Sequence, residues 1–213
     1  MRLASIPHRN RALTVIEVLV IIAVVFVLTA VLLPRLGRTH VTTYLGRCEN
    51  NLKMIGLACL TWEGDHGDRY PMAVPLREGG SQGSIDAFRT FQLMSYEINN
   101  PRVLVCPKDT RQPVSDFATL SNTNLSYFAG LDADECFPVM PLAGDRNLIT
   151  NGVAVGPGLA AIQKNTPLSW TAAVHKFSGN LCLADGSVSN LDIKGLNNAF
   201  AKTGLAINRL AMP

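Results

Sequence analysis

The chain has 213 residues, of which 16% are charged, and a formal net charge of +3. That length allows one apolar segment plus one compact domain of ordinary size. The charge is concentrated at the start: without residues 1–12, which hold Arg2, Arg9 and Arg11, the chain has 16 basic and 16 acidic residues. No Lys/Arg cluster of the kind that tracks phosphates is left, which argues against nucleic acid as a partner. The five cysteines (Cys48, Cys59, Cys106, Cys136, Cys182) are an odd number and form no C-x-x-C pair, which excludes zinc-ribbon and thioredoxin-type motifs.

Residues 1–12, MRLASIPHRNRA, are short, basic and polar. Leu13 to Leu33 follows, 21 residues with one charge, Glu17. As a helix it would be about 30 Å long, the thickness of a bilayer's hydrocarbon core, so a transmembrane helix is expected over 13–33. A carboxylate inside such a span costs a few kcal/mol unless it finds a partner. A secretory cleavage site at Thr29-Ala30-Val31 would be a poor one, and the sharper boundary lies between Ala12 and Leu13. The plain alternative is an uncleaved signal anchor that happens to hold one Glu.

Beyond Pro34, which lacks the donor for a bond to residue 30, helical periodicity resumes. Val41, Leu45, Cys48, Leu52, Ile55, Cys59 and Trp62 recur at spacings of 4, 3, 4, 3, 4 and 3, with Arg47, Glu49, Asn50 and Lys53 off the stripe. This predicts an amphipathic second half over 34–63, stopped by Gly64-Asp65-His66-Gly67. Cys48 and Cys59 on the stripe read either as small buried apolar residues or as partners in a disulfide to Cys106 or Cys182.

The globular part, 64–213, is less regular. Residues 76–86 are Gly/Ser-rich, Phe88–Ile98 reads as a short helix, and Val103–Pro107 and Leu125–Ala129 read as strands. Residues 130–170 show no regular pattern. Trp170–Phe177, Asn180–Ala184 and Ser187–Leu191, separated by Ser178-Gly179 and Asp185-Gly186, predict a C-terminal antiparallel meander, because Asp-Gly favours tight turns. A short helix is expected within 194–210. Asp132, Asp134 and Glu135 form an acidic knot without the Gly and later Glu of an EF-hand loop. His66 beside Asp65 and Asp68 is read as a polar loop. No nucleophile elbow, zinc-protease, Walker or dinucleotide motif is present, so no enzymatic activity and no catalytic residue is expected.

The N-terminal segment resembles the type IV prepilin and pseudopilin family. A short basic leader precedes a cut before an apolar residue, with Thr second, Glu fifth and Pro twenty-second in the mature chain; a cut between Ala12 and Leu13 gives Thr14, Glu17 and Pro34 those places. Ala12 stands where the family usually has Gly, and Leu13 where Phe is commoner. Cys48 to Ala58 (C-x-N-N-L-K-x-I-G-L-A) and His175-x9-Asp185-Gly186 resemble a pilin-like subgroup with a C-terminal H-x9-D-G motif. The structural reading of that motif is a turn at Asp185-Gly186 with His175 hydrogen-bonded across the meander.

The resemblance implies an α+β, pilin-like fold: a long N-terminal helix, transmembrane then amphipathic, packed on a small antiparallel β-sheet. It implies a structural subunit of a type IV pilus-like or type II secretion filament, cleaved and N-methylated at Ala12/Leu13 by a prepilin peptidase. The implied partners are that peptidase, other pilin or pseudopilin subunits, the membrane and an inner-membrane assembly platform. Glu17 of one subunit would pair with the Leu13 amine of the next, since two charges in a low-dielectric bundle are costly alone and tolerable together. The implied placement is single-pass in the inner membrane with the domain extracytoplasmic, in the periplasm or on a filament. No cofactor is expected; because some pseudopilins bind calcium in C-terminal loops, Ca2+ at Asp132, Asp134 and Glu135 is the ion to test. The competing reading is a membrane-anchored extracytoplasmic binding or sensor module that never assembles.

Overall fold

The computed structural model describes residues 14–213, except for the side chains at 31–43 and 45. The chain divides into two units, Met1–Thr43 and Tyr44–Pro213. Helix α1 runs from Val15 to Asp65. Its first turn is closed by a capping box. The Thr14 N–H and hydroxyl donate to Glu17 Oε2 at 2.8 and 2.9 Å, and the Glu17 N–H donates back to Thr14 Oγ1 at 3.4 Å.

Among the described residues, no helix is long and apolar enough to cross a membrane. The expectations of a transmembrane first half, of a membrane protein and of a single-pass inner-membrane placement with an extracytoplasmic domain are corrected accordingly.

The expected fold is corrected in the same way. Only the Tyr44–Asp65 part of α1 belongs to the unit that holds the sheets, and the sheet is not a small meander. Nine strands follow: β1 (Tyr127–Gly130), β2 (Pro141–Asp145), β3 (Leu148–Thr150), β4 (Val153–Ala154), β5 (Gly158–Gln163), β6 (Leu168–Trp170), β7 (Gly179–Leu183), β8 (Val188–Leu191) and β9 (Ile207–Met212). Six make an antiparallel sheet in the order β5-β9-β1-β2-β7-β8, and three make a second sheet, β4-β3-β6. The expected first strand of the meander is absent: Trp170 ends β6 in the second sheet, and 171–178 is a turn leading into the β7–β8 hairpin. The chain is α+β, with short helices α2 (Ala87–Leu93), α3 (Ser95–Ile98) and α4 (Ile193–Lys202).

The inner strands β1, β2 and β7 of the six-stranded sheet are buried on both faces. Tyr127 lies opposite Asp145, and Ala143 opposite both Ala129 and Cys182, so these residues share one face. There Tyr127, Ala129, Ala143, Cys182 and Ala211 join a core with Cys48, Leu52, Ile55, Cys59 and Trp62 of α1. On the other face Phe128, Leu181, Leu210 and Met212 pack with Leu148, Trp170, Leu196 and Phe200. Gly56 permits the close approach: a Cβ there would meet Cys182 Sγ at 2.8 Å and Gly186 Cα at 3.3 Å. Gly186 itself sits at φ 76° in the hairpin turn, where the Ser187 N–H donates to Asp185 Oδ1 at 2.9 Å.

The end of α1 is fixed by its own last turn. His66 Nδ1 donates to Trp62 O at 2.7 Å while the two rings stack at 3.5 Å between centroids. Val103–Pro107, expected as a strand, is instead opened by a 3-10 turn at Pro101–Leu104. Asn100 caps it through its side chain, and Pro101 supplies a preset φ at the first position.

Leu52 is fully buried and Leu57, one and a half turns on, is 64% exposed. Leu52→Ala is expected to lower unfolding free energy by about 3 kcal/mol, and Leu57→Ala to change it by less than about 0.5 kcal/mol. Urea titrations followed by tryptophan fluorescence check both; equal midpoints for the two variants would contradict this helix face.

Candidate functional site

Two places carry chemistry. The first is the start of α1. Its described large apolar side chains are exposed, from Val15 at 80% through Phe26 at 74% to Leu28. An apolar surface of this length needs something to cover it. Glu17 is the one carboxylate on it, held at the first turn by the capping box rather than by a cation. Ala12 and Leu13, also singled out at this end of the chain, lie outside the described residues, as do the side chains of Pro34 and of Val41 and Leu45 of the stripe.

The second is a buried polar centre on the α1-facing side of the sheet. Cys48 of α1 is disulfide-bonded to Cys106, with their Cα atoms 5.3 Å apart. His175 Nε2 lies 3.5 Å from Cys106 Sγ, 3.4 Å from Asp145 Oδ2 and 3.5 Å from Asn180 Nδ2. Asp145 Oδ2 accepts from the Asn180 N–H at 2.6 Å and from Asn180 Nδ2 at 3.0 Å, and Asn190 Nδ2 donates to Asn180 Oδ1 at 3.0 Å. Cys48, Cys106, Asp145 and Asn180 are fully buried and His175 nearly so. The turn that carries His175 is tied down by Asn147, whose Nδ2 donates to Thr171 O at 3.1 Å and Ser178 O at 3.4 Å. Lys176 and Phe177 pay for that turn with φ of 51° and 65°, a left-handed geometry uncommon for such side chains.

Burial pushes the Asp145 carboxyl up to about 7, although both hydrogen bonds from Asn180 act against it. Burial, and then the Lys108 charge, pull His175 below its usual range, so its imidazole is neutral at neutral pH. The two sulfurs are tied to each other in the disulfide.

The segment carrying Cys106 is clamped by an ion pair. Asp109, whose N–H donates to Cys106 O at 2.9 Å, receives Arg146 Nε and Nη2, both at 2.7 Å, and Ser126 Oγ at 2.8 Å. Arg146 follows Asp145 directly, so this bidentate pair fixes the Cys106 turn against the end of β2.

Asp132, Asp134 and Glu135 do not come together as a cation site. Both Asp132 oxygens accept from Arg209, through its backbone N–H at 2.6 Å, its Nε at 2.8 Å and its Nη2. Asp134 Oδ1 accepts from the Cys136 N–H at 2.9 Å, as a turn-forming Asp does. A guanidinium on the first carboxylate opposes calcium there, so the set does not fit that ion. Asp132, Asp134 and Arg209 do line a cavity of about 460 Å3 with Met72, Gln82 and Leu159. Among the described residues, one set of three side chains gathers as metal ligands do, and it is Cys48, Cys106 and His175.

His175, Asp185 and Gly186 are therefore split between two tasks. The first enters the buried centre, while the other two make the β7–β8 turn on its far side. Asp145, Asn180, Asp109 and Arg146 were not singled out from the sequence. Asn180 falls inside the nine-residue spacer, and Asp145 in the stretch without a pattern. No family model, no curated protein and no solved structure matches the chain.

Burial would raise the Asp109 carboxyl, but hydrogen bonds from Arg146 and Ser126 and the Arg146 charge outweigh it and hold it at about 2. A carboxyl depressed in the folded state stabilises above its unfolded value, near 4, and loses that contribution as pH falls through about 2. Asp109→Asn is expected to cost about 2 kcal/mol at pH 7 and to flatten the loss of stability between about pH 4 and pH 2. Urea midpoints measured across that range check it. An unchanged acid slope in the variant would contradict the clamp.

Proposed function

We propose that this chain is a structural subunit of a type IV pilus-like or type II secretion filament, and not an enzyme. It is processed by a prepilin peptidase at Ala12/Leu13 and assembles with other subunits through the N-terminal part of α1. The observation that carries this reading is the exposed apolar surface of Val15–Ala30 with a single acid, Glu17, at its head.

The physical logic is one of paired costs. Cleavage before Leu13 leaves a new α-amine two residues before Val15. Covered by neighbouring helices, Glu17 and that amine would each be expensive alone; an amine from one subunit beside the carboxylate of another neutralises both. Such a pair sets axial register more than it adds stability. The Thr14 capping box already holds the Glu17 side chain at the first turn, so little side-chain freedom is lost when a neighbour's amine arrives. Within a chain, Glu17 completes the helix start; between chains it selects the neighbour.

Mass spectrometry of the protein from its native producer is expected to find N-methylated Leu13 as the first residue; an intact Met1 terminus in cells with an active peptidase would contradict processing. Glu17→Ala is expected to leave cleavage intact and to impair assembly. A non-assembling binding module predicts no effect of that substitution on complex formation.

A further inference from the structure

We propose that Cys48, Cys106 and His175 form a zinc site that the disulfide closes: reduced, the three side chains bind one Zn2+; oxidised, they bind none. The proposal concerns the Tyr44–Pro213 unit and is independent of the filament reading.

The geometry is already close to that of a metal centre. The two sulfurs and one imidazole nitrogen lie within 4.8 Å of one another. Tetrahedral zinc, with Zn–S of about 2.3 Å and Zn–N of about 2.0–2.1 Å, places neighbouring S and N ligands roughly 3.5 Å apart. Cys106 Sγ and His175 Nε2 stand at 3.5 Å, so the main movement required is separation of the two sulfurs once their bond is broken.

The surroundings suit a thiolate more than a plain disulfide. The Lys108 N–H points at Cys106 Sγ at 3.5 Å, a backbone donor of the sort that supports metal-bound sulfur. Asp145 Oδ2 stands 3.4 Å from the same Nε2 that faces Cys106 Sγ, and its second oxygen, Oδ1, is buried with no hydrogen-bond partner among the described residues. A buried, unpartnered carboxylate oxygen beside the cluster is a polar group left to be satisfied. Charge selects the ion. Two thiolates and a neutral imidazole around Zn2+ sum to zero, which a buried site tolerates; Cu+ would leave an uncompensated negative charge beside Asp145.

The redox step balances with an external dithiol as reductant. It delivers two electrons and two protons to the Cys48–Cys106 bond and leaves as its own disulfide. Zinc binding then releases both thiol protons. Each state ties α1 to the Cys106 segment, by a covalent bond in one case and through the ion in the other.

The test uses the full chain, reduced with dithiothreitol and desalted without oxygen, with Co2+ and then Zn2+ as probes. One equivalent of Co2+ is expected to give thiolate-to-metal charge-transfer absorption that Zn2+ abolishes, and the oxidised protein is expected to give none. Cys48→Ser and His175→Ala should each remove the high-affinity band, while Cys136→Ser should keep it. Because the first two changes can impair folding, alkylation of reduced wild type supplies a second readout. Zn2+ should protect Cys48 and Cys106 from iodoacetamide and leave the exposed Cys136 reactive. Absence of the band in reduced wild type, its persistence in Cys48→Ser, equal binding by oxidised protein, or alkylation of Cys48 and Cys106 that Zn2+ does not slow would each overturn the proposal.

Discussion

The Tyr44–Pro213 unit depends on covering both faces of one antiparallel sheet. Tyr127, Ala143 and Cys182 need the Cys48–Trp62 face of α1; Phe128, Leu181 and Leu210 need α4 and the smaller sheet. Small residues on the α1 side make this feasible. Gly56 lets the helix come within van der Waals reach of Cys182 and Gly186, and alanines at 129, 143 and 211 keep that side shallow. On the opposite side, Phe128 fills the space left by Gly144, whose Cβ would strike its ring at 2.7 Å. Large and small side chains thus alternate across the sheet as close packing demands.

Within this apolar setting the Asp145–His175–Asn180 network is the costly element. Its groups are desolvated, and most of their hydrogen-bonding capacity is met by each other. The disulfide and the Asp109–Arg146 clamp converge on the same point from α1 and from the Cys106 turn. Three separate chain segments are therefore pinned where the helix first meets the sheet.

Some of this was legible in the sequence. From Cys48 onward, the stripe at spacings of 4 and 3 picks out residues buried in the core, because a helix with one covered face writes its period into the chain. The Asp185-Gly186 turn was legible for the same local reason. Strand β1 was legible within the strand expected over Leu125–Ala129, and β7 and β8 as the last two limbs of the meander. Strand β2 was not: Pro141 to Asp145 is buried at every position, so no polar alternation marks it, and β3, β4 and β6 have three residues or fewer. Trp170 was misplaced because its apolar neighbours suit a strand without saying which sheet it joins. Asp145 and its partners meet only in three dimensions, across 30 or more residues. The membrane expectation rested on the length and apolarity of residues 13–33, whereas among the described residues no helix is long and apolar enough to cross a membrane.

In the proposed filament, the exposed apolar surface of Val15–Ala30 on helix α1 would make the contact between copies. The most direct measurement is site-specific photo-crosslinking from Val20, 57% exposed on that helix, in cells that produce the processed chain. The account predicts covalent multimers whose crosslinked peptides come from residues 13–30 of a second copy. Crosslinks confined to residues 44–213, or a chain that stays monomeric under conditions where Val20 is labelled, would contradict it.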